Sequence, residues 1–344
     1  MTRLAKRRPV HYYEEPVFGE TPRLRRRTDC GVNVVQPEIP EHLSFEERNA
    51  ALSALLDEFL ESENLRDPIL WYYTPMMLDF SDHVRGTVVY DCMDELSLFA
   101  GAHPELPRHE RALLRRADVV FTGGRSLYYS KRRAHSNVHC FPSAVDASHF
   151  QVAQRPVPAD MAGMEGRKIG FYGVIDERFD CEYVQELAKA LPDWQIVLLG
   201  PVVKIDPARV PKAANIHHLG MKSYAELPAY LEHWDVAFLP FALNDATRFI
   251  SPTKTLEYLA ARKPVISTPI ADVVDPYGTD GVVMIGEDAQ TAARLARKAV
   301  EVSLPASWHR SVDGILNAAS WDRTVADMER HLASAARPVA RVAG

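Results

Sequence analysis

The sequence predicts an α/β fold of two doubly wound domains, and three observations support this prediction. The chain has 344 residues, which is too long for one ordinary core and suits two domains that each bury most of their own apolar surface. Hydrophobic residues make up 47% of the chain and charged residues 25%, the composition of a globular protein. From Gly86 onward, short Val- and Ile-rich runs alternate with helical patterns, as they do in parallel βαβ units.

The first domain is predicted to cover residues 1–150. Its expected elements are strands of one sheet at residues 87–90, 119–122 and 138–141, and a helix at residues 106–116. Residues 151–166 lack periodicity and contain two prolines and two glycines, so they are predicted to be a linker.

The second domain is expected over residues 167–310. Its predicted elements are strands at residues 169–172, 195–199, 236–239, 265–267 and 282–285, and helices at residues 183–191, 224–232 and 256–261. The pattern is helical from Ala289 to about Ala333, and Trp321 opens the last amphipathic segment. Residues 311–344 are therefore predicted to be C-terminal helices followed by a frayed tail.

Charge and cysteine usage limit the function classes. The chain has 40 Lys and Arg against 46 Asp and Glu, a net charge of −6, so no global field attracts nucleic acid. The four cysteines are scattered without metal-ligand spacing, which fits a reducing compartment and no structural zinc. No apolar run approaches the roughly 20 residues of a membrane span, and the N-terminus lacks the apolar core of a signal peptide. A cytoplasmic location is therefore expected.

One local concentration of positive charge lies near the N-terminus. It consists of Arg3, Lys6, Arg7, Arg8, Arg23, Arg25, Arg26 and Arg27. One interpretation is a solvated basic face. The other is contact with phosphates at the inner face of the plasma membrane or on a lipid-linked acceptor.

The strongest motif, Ser-Pro-Thr-Lys-Thr-Leu-Glu-Tyr at residues 251–258, predicts the start of a helix. Ser251 is expected to be the N-cap and Pro252 the first helical residue. Ligands of open α/β sheets bind beyond the carboxyl ends of the strands, where this helix begins. The N–H groups of its first turn and the Lys254 ammonium would bind a diphosphate, and Glu257 would accept hydrogen bonds from ribose hydroxyls. The alternative is a surface Lys/Glu pair worth roughly 0.3 kcal/mol.

A second loop at a strand end, residues 173–178, follows the strand predicted at residues 169–172. Gly173 permits close backbone approach, and Arg178 is a candidate phosphate ligand. Arg248, just before the helix motif, is a similar candidate. The alternative for the glycine is a plain turn.

Three carboxylates follow the strand predicted at residues 87–90, in the string Tyr-Asp-Cys-Met-Asp-Glu. Acids at the carboxyl end of a strand, facing an interdomain cleft, can act as a general base on an acceptor hydroxyl. Asp94 is favoured over Asp91 for this role. The alternative is that Asp94 caps a following helix and Asp91 pairs with an arginine.

Missing motifs exclude other chemistries. The sequence has no Gly-x-Gly-x-x-Gly, no Gly-x-x-x-x-Gly-Lys-Ser/Thr and no His-Glu-x-x-His, which argues against a dehydrogenase, a P-loop NTPase and a zincin. It also has no Asp-x-Asp, a motif that commonly binds a diphosphate through a metal ion. The charge of a leaving diphosphate is therefore expected to be met by Lys254, arginines and helix N–H groups, without metal.

Taken together, these motifs resemble those of GT-B glycosyltransferases, and most closely bacterial enzymes of teichuronic-acid and exopolysaccharide assembly in the cell envelope. The residues that carry the resemblance are 251–254, 257–260, 263–268, 90–94, 141–146 with Phe150, 170–178 and 244–250. The resemblance implies two Rossmann-like domains that face a central cleft. It also implies an N-terminal domain that binds the acceptor, a C-terminal domain that binds the nucleotide sugar, and a last helix that crosses back.

The implied activity is metal-independent transfer of a sugar, of the hexosyl type, from a nucleotide diphosphate to a surface glycan or lipid-linked acceptor. The predicted donor-site residues are Gly173, Asp176, Arg178, Arg248, Ser251, Thr253, Lys254 and Glu257. Asp94 and Asp91 are the predicted catalytic residues, and no metal or other cofactor is expected.

Two features depart from the family pattern. Many retaining relatives carry Glu-x7-Glu, but the residue eight positions before Glu257 is Phe249, so both inversion and retention stay open. Relatives usually begin with a strand and a helix ahead of any segment like residues 10–16, whereas Met1 here would lie inside that helix. The N-terminal sheet is therefore expected to lack its first strand. Three explanations stay open: the sheet is rebuilt, the sheet is unstable, or the true start of the protein lies upstream of Met1.

Two other functions fit the sequence. A nucleotide-sugar epimerase of the same fold would use the same helix without an acceptor, and it would epimerise or hydrolyse the nucleotide sugar alone. A non-enzymatic scaffold would bind nucleotide sugars or partner enzymes tightly without turnover.

Overall fold

The structure, a computed structural model, describes residues 1–335 and divides them between two α/β domains. In the N-terminal domain the strands are β1 (His11–Tyr13), β2 (Val17–Phe18), β3 (Arg23–Asp29), β4 (Val32–Ile39), β5 (Ile69–Tyr72), β6 (Thr87–Cys92), β7 (Val119–Thr122) and β8 (Val138–Cys140). The helices of this domain are α1 (Phe45–Ser62), α2 (Leu78–Ser81), α3 (Leu106–Arg116), α4 (Arg125–Lys131) and α5 (Ala147–Phe150).

The N-terminal domain contains two sheets, and the three strands predicted to share one sheet, β6, β7 and β8, do lie in the same one. Strands β5-β6-β7-β8 form a parallel sheet in that order, while β4 pairs with β1 and β2 in parallel and with β3 in antiparallel. Within residues 1–335, β1 pairs only with β4 and β5 only with β6, so the Rossmann-like sheet is divided. The helix expected around Met1 is limited to one 3₁₀ turn, Leu4–Lys6.

The strands and the helix predicted for this domain are confirmed, whereas no helix or strand was predicted for residues 17–86. The helix at residues 106–116 and the strand at residues 119–122 have the predicted bounds. Strand β6 runs two residues further than expected, so Asp91 lies inside it. Helix α1 has a readable signal, a capping box in which the Ser44 side chain accepts from the Glu47 N–H and Glu47 accepts from the Ser44 N–H.

The C-terminal domain alternates strands and helices. Its strands are β9 (Arg167–Tyr172), β10 (Trp194–Leu199), β11 (Ile216–His218), β12 (Val236–Leu239), β13 (Val265–Ser267) and β14 (Met284–Ile285). Its helices are α6 (Cys181–Ala190), α7 (Leu227–Glu232), α8 (Lys254–Ala260), α9 (Ala271–Val273), α10 (Ala289–Glu301) and α11 (Ala306–Ala318), and α12 (Trp321–Ala335) follows.

These six strands form one parallel sheet in the order β11-β10-β9-β12-β13-β14. The order reverses between β9 and β12, which makes the sheet doubly wound. Every strand predicted here is present, and β11 was missed because only one of its three residues, Ile216, is apolar. Position 170 in β9 requires a glycine, because an added Cβ would come within 2.1 Å of the buried Trp234 ring.

Residues 151–166, the predicted linker, contain no helix or strand but are fixed to the C-terminal domain. Met161 is buried in the core of that domain. The Asp160 carboxylate pairs with the Lys222 ammonium at 2.7 Å and accepts a hydrogen bond from the Tyr230 hydroxyl at 2.8 Å. The segment is therefore part of the C-terminal domain in its packing.

The return to the N-terminal domain starts later than residue 311. Helix α11 spans the predicted boundary at residue 310, and its Trp308 and Val312 are buried in the C-terminal core. The chain crosses at Ala319, whose carbonyl accepts from the Val145 N–H at 3.0 Å. Helix α12 then packs Met328 and Leu332 against the N-terminal sheet, which confirms that the last helix crosses back. The predicted frayed tail, residues 336–344, lies outside the described residues.

Candidate functional site

A crevice is expected where the strand order of the C-terminal sheet reverses. Strands β9 and β12 are neighbours, but β9 leads to α6 and β10 on one side and β12 leads to α8 and β13 on the other. Chain segments that leave adjacent strands in opposite directions open a ligand crevice at the carboxyl edge of the sheet. The loop after β9 contains Gly173 and Arg178, and the loop after β12 leads to Lys254. The structure therefore brings the two predicted loops together.

The predicted start of α8 is wrong by two residues. Ser251 is not its N-cap, because the helix begins at Lys254 and Thr253 precedes it with helical dihedral angles and no side-chain cap. The N–H groups of Thr255 and Leu256 donate to the carbonyls three residues back, so the first turn is of the 3₁₀ type. Ser251 instead lies at the domain boundary, next to Gly124 of the N-terminal domain. A Cβ added to Gly124 would come within 2.9 Å of the Ser251 Cβ.

Lys254 places an ammonium group without a carboxylate partner at this crevice. Within residues 1–335 its Nζ makes no ion pair or hydrogen bond, and it lies 5.8 Å from the centre of the Phe171 ring and 6.0 Å from that of Phe241. Burial lowers the pKa of Lys254, although Glu257 opposes this shift. Lys254 is half-buried, and a partly desolvated cation without a paired anion is unfavourable, so this position favours the binding of a negatively charged group.

Gly173 is required for that placement. It has a φ of +146°, and an added Cβ would come within 2.5 Å of the Lys254 Cε atom. The side chain of Lys254 therefore runs directly over the Gly173 backbone. The glycine thus permits a close approach of the lysine, while its predicted role in donor binding stays a prediction.

Glu257 lies about one helical turn beyond Lys254 and is anchored to the sheet. The Tyr172 hydroxyl, from the last residue of β9, donates to one Glu257 oxygen at 2.6 Å. Burial raises the pKa of Glu257, whereas the Tyr172 hydrogen bond and the Lys254 charge lower it. The carboxylate is half-buried and held in place, and within residues 1–335 its second oxygen is free to accept from a ligand hydroxyl.

Asp176 is engaged by Arg178. Its carboxylate, only 5% exposed, accepts from the Arg178 Nε at 3.0 Å and Nη2 at 2.6 Å and from the Arg178 N–H at 3.0 Å. These bonds position the arginine, and the predicted contact of Asp176 with the donor stays a prediction. The Arg178 guanidinium also lies over the Phe99 ring of the N-terminal domain, at 5.4 Å.

The remaining predicted donor-site residues are less closely engaged. Arg248 is exposed in the loop between β12 and α8, and its guanidinium lies 5.2 Å from the centre of the adjacent Phe249 ring. Thr253 is exposed as well. Phe249, at the position where many relatives carry a carboxylate, packs against the core of the N-terminal domain.

The structure separates the two predicted catalytic acids. Asp91 is 4% exposed and accepts from the Trp71 indole N–H at 2.9 Å, and burial raises its pKa to about 6. It therefore faces the interior of the N-terminal domain, and within residues 1–335 it makes no ion pair with an arginine. Asp94 lies beyond the end of β6, where burial raises its pKa and the Arg178 charge opposes the shift. Of the two, Asp94 is the one that interacts with Arg178 of the other domain.

Contacts between the domains lie on both sides of the crevice. On one side, Glu177 accepts from the Ala100 N–H at 3.1 Å, next to the contact of Arg178 with Phe99. On the other side, Asp272 accepts from the Ser126 N–H at 3.0 Å. These contacts were missed by the sequence reasoning. Their one readable signal was the Gly-Gly pair after β7, since an added Cβ on Gly124 would come within 2.2 Å of Asp272.

The basic N-terminal cluster is largely paired with acidic residues. Arg23 and Arg25 both contact Glu38, and the other pairs are Arg26 with Glu63, Arg27 with Glu14, Arg3 with Asp322, and Arg7 and Arg8 with Glu329. These pairs reduce the positive field that the sequence suggested.

Residues 1–335 contain neither a candidate metal cluster nor a membrane-spanning helix. Across residues 1–335 no group of three or more His, Cys, Asp or Glu side chains could hold a metal ion. No helix there is long and apolar enough to cross a membrane.

Comparison with known proteins connects this crevice to one family. Residues 167–302 match the family described as Glycosyl transferases group 1. TuaH of Bacillus subtilis strain 168, named for glycosyl transfer in teichuronic acid biosynthesis, is 28% identical over 236 residues. That match covers 63% of this chain and 59% of TuaH, less than two thirds of the relative's length.

Solved structures share the whole architecture at low sequence identity. Sucrose-phosphate synthase of Thermosynechococcus elongatus aligns with a TM-score of 0.70 at 14% identity, over 97% of this chain and 92% of that one. Anabaena Alr3699/HepE in complex with UDP-glucose aligns with a TM-score of 0.62 at 13% identity, over 81% and 82% of the two chains. The fold is the GT-B fold, as predicted.

Proposed function

We propose that this chain, whose residues 167–302 match the glycosyl transferases group 1 family and whose fold is GT-B, transfers a sugar from a nucleotide diphosphate to a glycan acceptor. The acceptor class is a surface glycan or a lipid-linked glycan, in keeping with the teichuronic acid role in the name of TuaH. Solved neighbours contain UDP-glucose and UDP-2-fluoro glucose, so a uridine diphosphate sugar is the first donor to test.

One observation supports the proposal above all others. At the switch point of the C-terminal sheet, Lys254 has no carboxylate partner within residues 1–335, and Glu257 on the same helix has one oxygen engaged by Tyr172 and one free. A diphosphate beside Lys254 and a ribose beside Glu257 would satisfy both groups at once. Arg178 would supply a second positive charge to the diphosphate.

The proposed reaction is a single displacement with Asp94 as the general base. Asp94 takes the proton of an acceptor hydroxyl, and the acceptor oxygen forms a bond to the anomeric carbon. The bond from that carbon to the diphosphate oxygen breaks, and the diphosphate leaves with the electron pair. Lys254 and Arg178 stabilise its charge, and no metal ion is assigned a role.

The location of the protein follows from its acceptor and is part of the proposal. A lipid-linked acceptor would place the protein in the cytoplasm at the inner membrane surface. Contact through the basic N-terminal cluster would then rest on Lys6, which is exposed and unpaired within residues 1–335, and on arginines that exchange a carboxylate for a lipid phosphate.

Turnover of nucleotide sugars tests the proposal. Wild-type protein is incubated in EDTA with UDP-, GDP- and dTDP-sugars, with and without a bacterial lipid-linked glycan fraction, and release of nucleoside diphosphate is measured. We expect release from one donor class and an increase when the glycan fraction is added. An epimerised sugar with no nucleotide release would indicate an epimerase, and nucleotide binding without any turnover would indicate a scaffold.

A further inference from the structure

A buried ion cluster lies under the loop that carries Asp94. The Lys131 ammonium of α4, 4% exposed as a residue, pairs with Glu95 at 2.6 Å and with Glu110 of α3 at 2.7 Å. The Tyr90 hydroxyl of β6 donates to Glu110 at 2.8 Å. The Lys131 ammonium therefore links helices α3 and α4 to Glu95, the residue that directly follows Asp94.

Glu95 is the anchor of this loop, residues 93–98. One of its oxygens contacts Lys131 and the other accepts from the Ser97 hydroxyl at 3.1 Å. The Cys92 thiol also contacts the Asp94 carbonyl at 3.5 Å. Both sides of Asp94 are thus fixed by contacts that lie below the cleft.

Stability alone does not explain this cluster. Replacing a buried ion pair or triad with apolar side chains of similar size is often neutral or stabilising, because desolvation offsets the attraction between the charges. Burial by itself would lower the pKa of Lys131, but its anionic neighbours outweigh burial and raise it, so the ammonium stays charged. A charged cluster of this kind fixes a geometry, and the loop next to it carries the proposed base.

We propose that Lys131 is a positioning residue, which sets the location of the Asp94 carboxylate by holding Glu95 in its buried ion pair. This inference rests on the proposed function, because it deepens the role assigned to Asp94. Lys131 makes no contact with the ligand crevice; it acts through Glu95. A displacement of about 1 Å at a reacting group can reduce turnover by roughly 100-fold.

The test compares Lys131→Met, Glu95→Ala and the double variant with wild type. Hydrogen exchange of residues 93–98 and turnover per folded molecule, with UDP-glucose first and then the other nucleotide sugars, are both measured. We expect each single variant to speed exchange in this loop by roughly tenfold and to reduce kcat by roughly 10- to 100-fold, with KM for the nucleotide sugar nearly unchanged. Since both variants break the same contact, the double variant should be no worse than either one.

Glu110→Gln is the matched control, because it removes a charge from the cluster but leaves the Lys131 contact with Glu95. Its loop exchange is expected to match wild type. Unchanged exchange and unchanged kcat in Lys131→Met, or additive losses in the double variant, would overturn the inference. If wild type turns over no donor, the proposed function fails, while loop exchange still decides whether Lys131 holds Glu95.

Discussion

Replacing Lys254 with methionine is expected to reduce turnover by roughly 100- to 1,000-fold, a loss of about 3 to 4 kcal/mol of transition-state stabilisation. The ammonium is the positive group nearest to the proposed diphosphate, and its charge matters most when the diphosphate leaves. Methionine keeps most of the length and packing against Phe171 and Phe241. The free energy of unfolding is expected to stay equal or to rise, because the substitution removes a half-buried cation that has no ion pair within residues 1–335.

The measurement pairs steady-state turnover with urea unfolding for wild type, Lys254→Met and a surface control. Lys189→Met suits this control, because Lys189 makes only an exposed i,i+3 pair with Glu186. An unfolding free energy that drops while turnover per folded molecule stays normal would show that Lys254 is structural. A normal profile in both variants would remove the diphosphate assignment.

Replacing Asp94 with asparagine is expected to reduce kcat by roughly 100- to 10,000-fold, because asparagine cannot take a proton from the acceptor hydroxyl. The side chain keeps its size, and Asp94 belongs to the N-terminal domain, whereas the proposed nucleotide site lies in the C-terminal domain. Affinity for the nucleotide is therefore expected to change little. Steady-state kinetics and calorimetric titration with UDP measure the two effects separately. Normal kcat in Asp94→Asn would contradict the assignment of the base.

Asp91→Asn is the comparison that separates the two acids. Burial raises the pKa of Asp91 to about 6, so folding favours its protonated form, and its carboxylate costs stability as the pH rises from about 4 to 6. Asparagine should therefore make the protein more stable at pH 8, by up to a few kcal/mol, and the gain should vanish near pH 4. If Asp91 were the base, the loss of kcat would follow this variant instead.

The C-terminal domain could be predicted because each of its signals is local. Its strands are continuous Val-, Ile- and Leu-rich runs buried on both faces, and a chain of alternating strands and helices has few ways to fold. The position of Lys254 and Glu257 follows from that alternation. The first 86 residues carry weaker local signals, and the division of the N-terminal sheet depends on pairings between distant strands.

The details of the site depend on contacts that the sequence does not express. Ser251 is a good N-cap by residue type, but packing at the domain boundary holds it outside the helix. Asp176 looks like a ligand by position, but its carboxylate is occupied by Arg178. Lys131 reads as an ordinary helical lysine, and only tertiary packing brings it to Glu95 and Glu110.

Nucleotide-dependent thermal stability is the most direct test of the central claim, that the crevice between β9 and β12 binds a nucleotide sugar. Wild type, Glu257→Ala and the surface control Glu186→Ala are melted with a panel of nucleotide sugars and free nucleotides. Ligand at about 100 times its Kd should add roughly 2.7 kcal/mol to the free energy of unfolding. The account predicts a shift with one nucleotide class in wild type and Glu186→Ala that is lost in Glu257→Ala. No shift with any nucleotide, or an equal shift in Glu257→Ala, would contradict it.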